Sequence, residues 1–87
     1  GENKVVNVNG TDVALFNVEG KFFAIGNTCL HRGGPLGEGF LEGDIVTCPW
    51  HGWRYNVRTG QNAMMPTAKV ANYQVKTEGN DVLVAVD

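Results

Sequence analysis

Short apolar runs separated by turn residues fill the first 25 residues. Val5, Val6 and Val8 stand before Asn9-Gly10. Val13, Leu15, Phe16 and Val18 follow and stop at Glu19-Gly20, and Phe22, Phe23 and Ile25 make a third run. Asn-Gly suits a two-residue hairpin, because both central positions need positive φ. Short strands joined by such turns predict an antiparallel meander. Residues 26–39 break the pattern with five glycines and a proline, and read as a structured loop. A hairpin is expected from Phe40 to Thr47 across Gly43-Asp44, then a second loop over residues 48–53. A strand from Arg54 to Val57 closes at Arg58-Thr59-Gly60. Residues 61–70 look irregular around Met64-Met65-Pro66. A last hairpin runs from Tyr73 to Val86 across residues 78–81. No segment carries a helical period. Twelve glycines and evenly spaced short strands predict an all-β, antiparallel sandwich or small barrel.

Length bounds this picture at one small domain, residues 1–87, with no linker or repeat. A core of that size is thin, and such domains often add a staple such as a disulfide or a metal. Hydrophobic residues at 43% against charged residues at 18% fit a globular fold. The net charge of -2 and the lack of a basic run argue against nucleic acid and against an anionic membrane surface. No apolar run approaches the roughly 20 residues that span a bilayer, and no leader is evident, so a cytoplasmic location is expected.

The candidate chemistry lies in the two loops. "CLHRGGPLGEG" begins at Cys29 and "CPWHGWRYNVRTG" at Cys48. Both cysteines and both histidines of the chain fall there, as Cys29-x-His31 and Cys48-x-x-His51, with sixteen residues between the pairs. The intervening hairpin can fold back and set the loops face to face. Three readings fit four such donors. Structural zinc accepts Cys and His, although its ligands more often come as Cys with Cys and His with His. A disulfide with two incidental histidines is the plainest. A [2Fe–2S] cluster with two Cys on one iron and two His on the other needs each loop to give one ligand to each iron, which these mixed pairs do.

The two boxes resemble those of Rieske proteins, and the chain is most similar to the small Rieske ferredoxins. The likeness extends over the preceding strands and the lead-in "EGDIVT" that ends at Thr47, and covers most of the chain. The resemblance implies a Rieske-like β-fold with a two-loop cluster-binding tip, about residues 28–39 and 48–54. It implies one [2Fe–2S] cluster, with Cys29 and Cys48 on the inner iron and His31 and His51 on the outer. Gly33, Gly34, Gly37 and Gly52 would let backbone approach the cluster. Pro66 would belong to a third loop over it, or else to a plain surface turn. High-potential members carry an extra disulfide where this chain has Gly34 and Trp50, and a serine where it has Trp53. Tyr55 matches a tyrosine that bonds a ligand sulfur in that group. The balance implies a potential within about 100 mV of the low end of the Rieske range, which lies at about -150 mV. The outer nitrogens of His31 and His51 should face solvent, and losing a proton there would lower the potential.

The function implied is electron carriage between an NAD(P)H-dependent flavoprotein reductase and a terminal oxygenase, by a monomer that is not itself an enzyme. No Ser-His-Asp set, facial triad or G-x-G-x-x-G remains once the histidines are used as ligands. Alternatives are the small Rieske subunit of a nitrite reductase and, in another class, a zinc-stapled interaction module. Leu30, Pro35, Pro49 and Trp50 would form an apolar collar for brief docking. Such proteins usually open with a further strand, so the resemblance implies one before Gly1.

Overall fold

The computed structural model describes residues 2–30, 33–50 and 52–85. The expected meander is present as β1 (Asn3–Val8), β2 (Thr11–Val18) and β3 (Lys21–Gly26). Val8 pairs with Thr11 and Val18 with Lys21, so each connection has two residues. The first holds Asn9 at φ 52 and Gly10 at φ 88, and the second repeats this with Glu19 and Gly20. Left-handed backbone is costly for a glutamate. An asparagine clamp offsets the cost in both turns. Asn7 Oδ1 accepts the Gly10 N–H at 3.1 Å, and Asn17 Oδ1 accepts the Gly20 N–H at 2.9 Å.

The chain then forms a small sheet of β4 (Phe40–Glu42), β5 (Ile45–Thr47) and β6 (Arg54–Asn56). It ends in a hairpin of β7 (Asn72–Glu78) and β8 (Asp81–Ala85). That hairpin joins the meander through two residue pairs, Ala24 with Tyr73 and Ile25 with Asn72. The large sheet has the order β1-β2-β3-β7-β8 and the small one β4-β5-β6. The all-β, antiparallel expectation holds, with a curled half-barrel and a second small sheet. Among the described residues the one helical piece is a 3₁₀ turn, Leu36–Glu38, inside the segment read as loop.

Strand β2 explains why the large sheet curls. Its run Val13-Ala14-Leu15-Phe16 is buried on both faces. Ala14, Phe16 and Val18 point into the main core with Ile25, Leu36, Val46, Tyr55, Val57, Val70 and both cysteines. Val13, Leu15 and Ala24 point the other way and are covered by Val6, Val8, Phe22, Tyr73 and the valines of β7 and β8. Strands flanking β2 must bend around that second set to shield it from water. The main core lies between the two sheets. Burying a side chain such as Phe16 there contributes roughly 2–3 kcal/mol.

The sheets are also tied at the surface. Arg58 pairs with Asp44 at 3.3 Å and lies 4.7 Å above the Phe23 ring. An exposed ion pair and cation–π contact together are worth about 1 kcal/mol. Asn3 reaches from β1 to the carbonyls of Gly37 and Gly39, at 2.9 and 3.0 Å. The first loop is thereby anchored to the large sheet. Among the described residues, no helix is long and apolar enough to cross a membrane.

Candidate metal centre

Both loops close on their own backbone. In the first, Gly33 N–H donates to the Cys29 carbonyl at 2.8 Å, and Cys29 N–H donates to the Gly34 carbonyl at 2.9 Å. In the second, which caps the β5–β6 hairpin, Cys48 N–H donates to the Trp53 carbonyl at 2.7 Å. Each cysteine therefore sits where a strand gives way to a tight loop. Gly33 and Gly52 both have φ 76.

The two loops bring their cysteines together. Each cysteine is 2% exposed, and both are free thiols, so the disulfide reading is not met. The Cys48 thiol lies within hydrogen-bonding reach of Cys29, and burial, together with that neighbour, pushes its pKa up. A buried thiol of this kind stays neutral unless a cation supplies compensating charge, and a metal deprotonates it outright. Gly34 makes the approach possible. A Cβ on it would stand 2.6 Å from Cys48 Sγ and 3.1 Å from Trp50 Cβ. Positions 34 and 50, which hold a disulfide in the high-potential group, do face each other here, with the indole filling the space. A paired, buried, unbridged dithiol with its cradle kept open by glycine fits a thiolate-bound metal group.

Tyr55 is fully buried, paired with Val46 across β5 and β6. Its phenol oxygen is 3.6 Å from Cys29 Sγ and accepts the Leu30 N–H at 3.2 Å. Burial raises the phenol pKa, with the Cys29 contact adding to the rise, so the group keeps a proton to offer sulfur. Trp53 is half-buried and packs on the main core. Leu30 and Trp50 are about half exposed, at 52% and 51%, and Pro49 is exposed, whereas Pro35 is half-buried.

One expectation changes. Gly37 does not approach the thiols. Its N–H donates to Asn27 Oδ1 at 2.8 Å, and a Cβ there would meet Lys4 and Val5 of β1. It is a packing glycine between loop and sheet. Pro66 is exposed, and its carbonyl accepts from Gln61 Nε2 at 3.0 Å. His31, His51 and Arg32 lie outside the described residues. Sequence reasoning missed Asn62, a buried amide beside Tyr55. Its only trace in the sequence is an asparagine placed to start a turn before Met64-Met65-Pro66.

A groove of about 980 Å³ lies between β1 and β8, and its lining includes none of these residues.

Comparison with known proteins accords with this geometry. The chain is 39% identical over 83 residues to the ferredoxin component of naphthalene 1,2-dioxygenase/salicylate 5-hydroxylase systems from Ralstonia sp, an alignment covering 94% of this chain and 80% of that one. It superposes on the ferredoxin of carbazole 1,9a-dioxygenase from Nocardioides aromaticivorans IC177 with a TM-score of 0.91 and 30% identity, over 100% of this chain and 86% of that one. A chain from a complex of reduced oxygenase and oxidized ferredoxin in carbazole 1,9a-dioxygenase matches with a TM-score of 0.89 and 37% identity, covering 98% of this chain and 89% of the other. The first two of these relatives are named as a ferredoxin component and a ferredoxin of dioxygenase systems. The model of the Rieske [2Fe-2S] domain matches residues 1–80, nearly the whole span that holds the dithiol and both sheets. The chain belongs to the Rieske [2Fe–2S] domain family, and its cofactor is a cluster of that type.

Proposed function

We propose that this chain, acting as one domain and as a monomer in the cytoplasm, carries single electrons from an NAD(P)H-dependent flavoprotein reductase to the terminal oxygenase of a ring-hydroxylating dioxygenase system. Cys29 and Cys48 hold the inner iron of the cluster, and His31 and His51 hold the outer one. When bound, the group takes up and releases one electron without bond making or breaking. The observation that carries the reading is the buried dithiol, whose neighbours are apolar and whose loops reach the surface.

The chain's own residues do three things in this account. Gly34 keeps the two loops close enough for both thiolates to reach one iron. Tyr55 offers its hydroxyl to the Cys29 sulfur, which favours the more negative, reduced state. Leu30 and Trp50, each next to a ligand residue, present apolar surface through which a partner can dock and leave quickly. The zinc and nitrite reductase alternatives gain no support from the relatives, which are ferredoxin components of dioxygenase systems.

The docking role has a direct test. Leu30→Ala is expected to slow second-order electron transfer to a terminal oxygenase of the carbazole 1,9a-dioxygenase type by about fivefold, the effect of losing about 1 kcal/mol at a central contact. Anaerobic stopped-flow absorbance measures the rate. An unchanged rate would place docking on another face.

A further inference from the structure

The Asn9-Gly10 turn joins β1 to β2, and it also sets an electrophile beside a nucleophile. Asn9 alone among the asparagines of the chain precedes a glycine. The carboxamide carbon of Asn9, Cγ, and the backbone nitrogen of Gly10 can close a five-membered ring, and glycine has no side chain to hinder the approach. Both residues are exposed, and a Cβ on Gly10 would meet nothing within 4 Å. Asparagine is a thermolabile residue.

The Gly10 nitrogen is held away from that reaction. Its N–H donates to Asn7 Oδ1 at 3.1 Å. The Asn7 amide is oriented in turn, because its Nδ2 donates to Asp12 Oδ1 at 3.0 Å. A carboxylate only accepts, so the NH₂ side must face Asp12, and the oxygen is left for Gly10. Asn7 and Asp12 are partners across the β1–β2 ladder, which fixes their separation. Asn9 itself stands at φ 52, just beyond the ladder pair of Val8 and Thr11. Ring closure requires the Asn7 bond to break and the Gly10 nitrogen to turn toward Asn9 Cγ. The β2–β3 turn has the same φ values and the same clamp, from Asn17 Oδ1 to the Gly20 N–H at 2.9 Å, but carries Glu19 where the first turn has Asn9. A glutamate has no amide to lose, so the second turn has the clamp without the chemistry.

We propose that Asn9 is a latent deamidation site, kept closed by the hydrogen-bond chain from Asp12 through Asn7 to Gly10. The Gly10 nitrogen attacks Asn9 Cγ and gives up its proton, the bond from Cγ to the side-chain nitrogen breaks, and ammonia leaves a succinimide in the chain. Water then opens the ring at either carbonyl, which gives aspartate or isoaspartate at residue 9. No oxidation or reduction is involved. Isoaspartate puts one more main-chain carbon into a two-residue turn that sets the register of β1 on β2. The clamp therefore protects the strand whose Val6 and Val8 cover Val13, Leu15 and Ala24. The inference stands apart from the cluster reading.

Peptide mapping by mass spectrometry, after incubation of the full chain at mildly alkaline pH, tests this. Asn9 lies in the tryptic peptide Val5–Lys21. Wild type is expected to deamidate at Asn9 roughly tenfold more slowly in native buffer than in concentrated guanidinium chloride, since the reaction needs local opening. Asn7→Ala is expected to raise the native rate about fivefold, as loss of one net hydrogen bond implies, and to leave the rate in denaturant unchanged. Equal wild-type rates in buffer and denaturant would overturn the proposal. So would a native rate that Asn7→Ala does not change, or one that rises by the same factor in denaturant. If Asn7→Ala does not fold, Asp12→Ala takes its place. That variant keeps the Asn7 amide but removes its anchor, and is expected to raise the native rate about twofold, a fraction of the same bond. An unchanged rate in folded Asp12→Ala overturns the proposal as well.

Discussion

Cys48→Ser is expected to lose its iron and colour, with iron retained after purification falling more than about tenfold below wild type. The thiol is 2% exposed and sits in the main core. Burial keeps it neutral in the absence of a metal, so the stabilisation gained on binding iron comes with conversion to a thiolate. A serine hydroxyl has no comparable anion near neutral pH, and its shorter bond leaves the oxygen away from the sulfur position. The fold should survive the change. Serine is close in size to cysteine, and an unmatched buried hydroxyl costs about 1–3 kcal/mol. Iron analysis beside a circular dichroism melt separates the two effects. A Cys48→Ser protein with full iron and the wild-type spectrum would remove Cys48 from the ligand set.

Gly60→Ala is expected to cost about 3 kcal/mol, or a drop of about 15 °C in Tm for a domain of this size. Two independent penalties meet at this position. Its φ is 81, a region where a Cβ is strained. A Cβ there would also run into the Val70 carbonyl oxygen. That carbonyl belongs to the segment that Gly60 anchors, since Val70 N–H donates to the Gly60 carbonyl at 2.9 Å and Gly60 N–H donates to the Asn56 carbonyl at 2.8 Å. Neither segment can yield without opening the packing of Val57 and Val70 in the main core. Gly10→Ala is the control. It has φ 88 but meets nothing within 4 Å, so it carries the strain alone, about 1 kcal/mol. Urea denaturation of the two variants gives the difference. Equal losses would show that Val70 moves aside freely.

The local parts of this architecture are readable in the sequence, because local rules make them. Asn9-Gly10, Glu19-Gly20 and the short apolar runs beside them specify the meander, and Gly43-Asp44 between short apolar runs specifies the β4–β5 hairpin. The long-range parts are not. Only two residue pairs join β3 to β7, and nothing in either segment names the other. The 3₁₀ turn at Leu36–Glu38 is too short to show a period, and it is held from outside by Asn27 and Asn3. Gly37 illustrates the limit well. Glycine beside a candidate ligand reads as room for a cluster, while the packed fold uses it as room for β1.

The site divides in the same way. Cys29 and Cys48 stand out because the two-box pattern has few other uses, and the fold does bring their thiols together. Tyr55 is singled out by resemblance, and its contact with Cys29 gives that role a geometry. Asn62 has no such signal. Its burial and its hydrogen bonds depend on the bridge between residues 55 and 62 and on the loop closing over its side-chain oxygen, both products of tertiary folding.

The measurement that bears most directly on the cluster is electron paramagnetic resonance of the dithionite-reduced protein, with iron and acid-labile sulfide determined on the same sample. A rhombic signal of the mixed histidine and cysteine type, with about two irons and two sulfides per chain, is the expected result. A silent, colourless sample holding about one zinc per chain would contradict it.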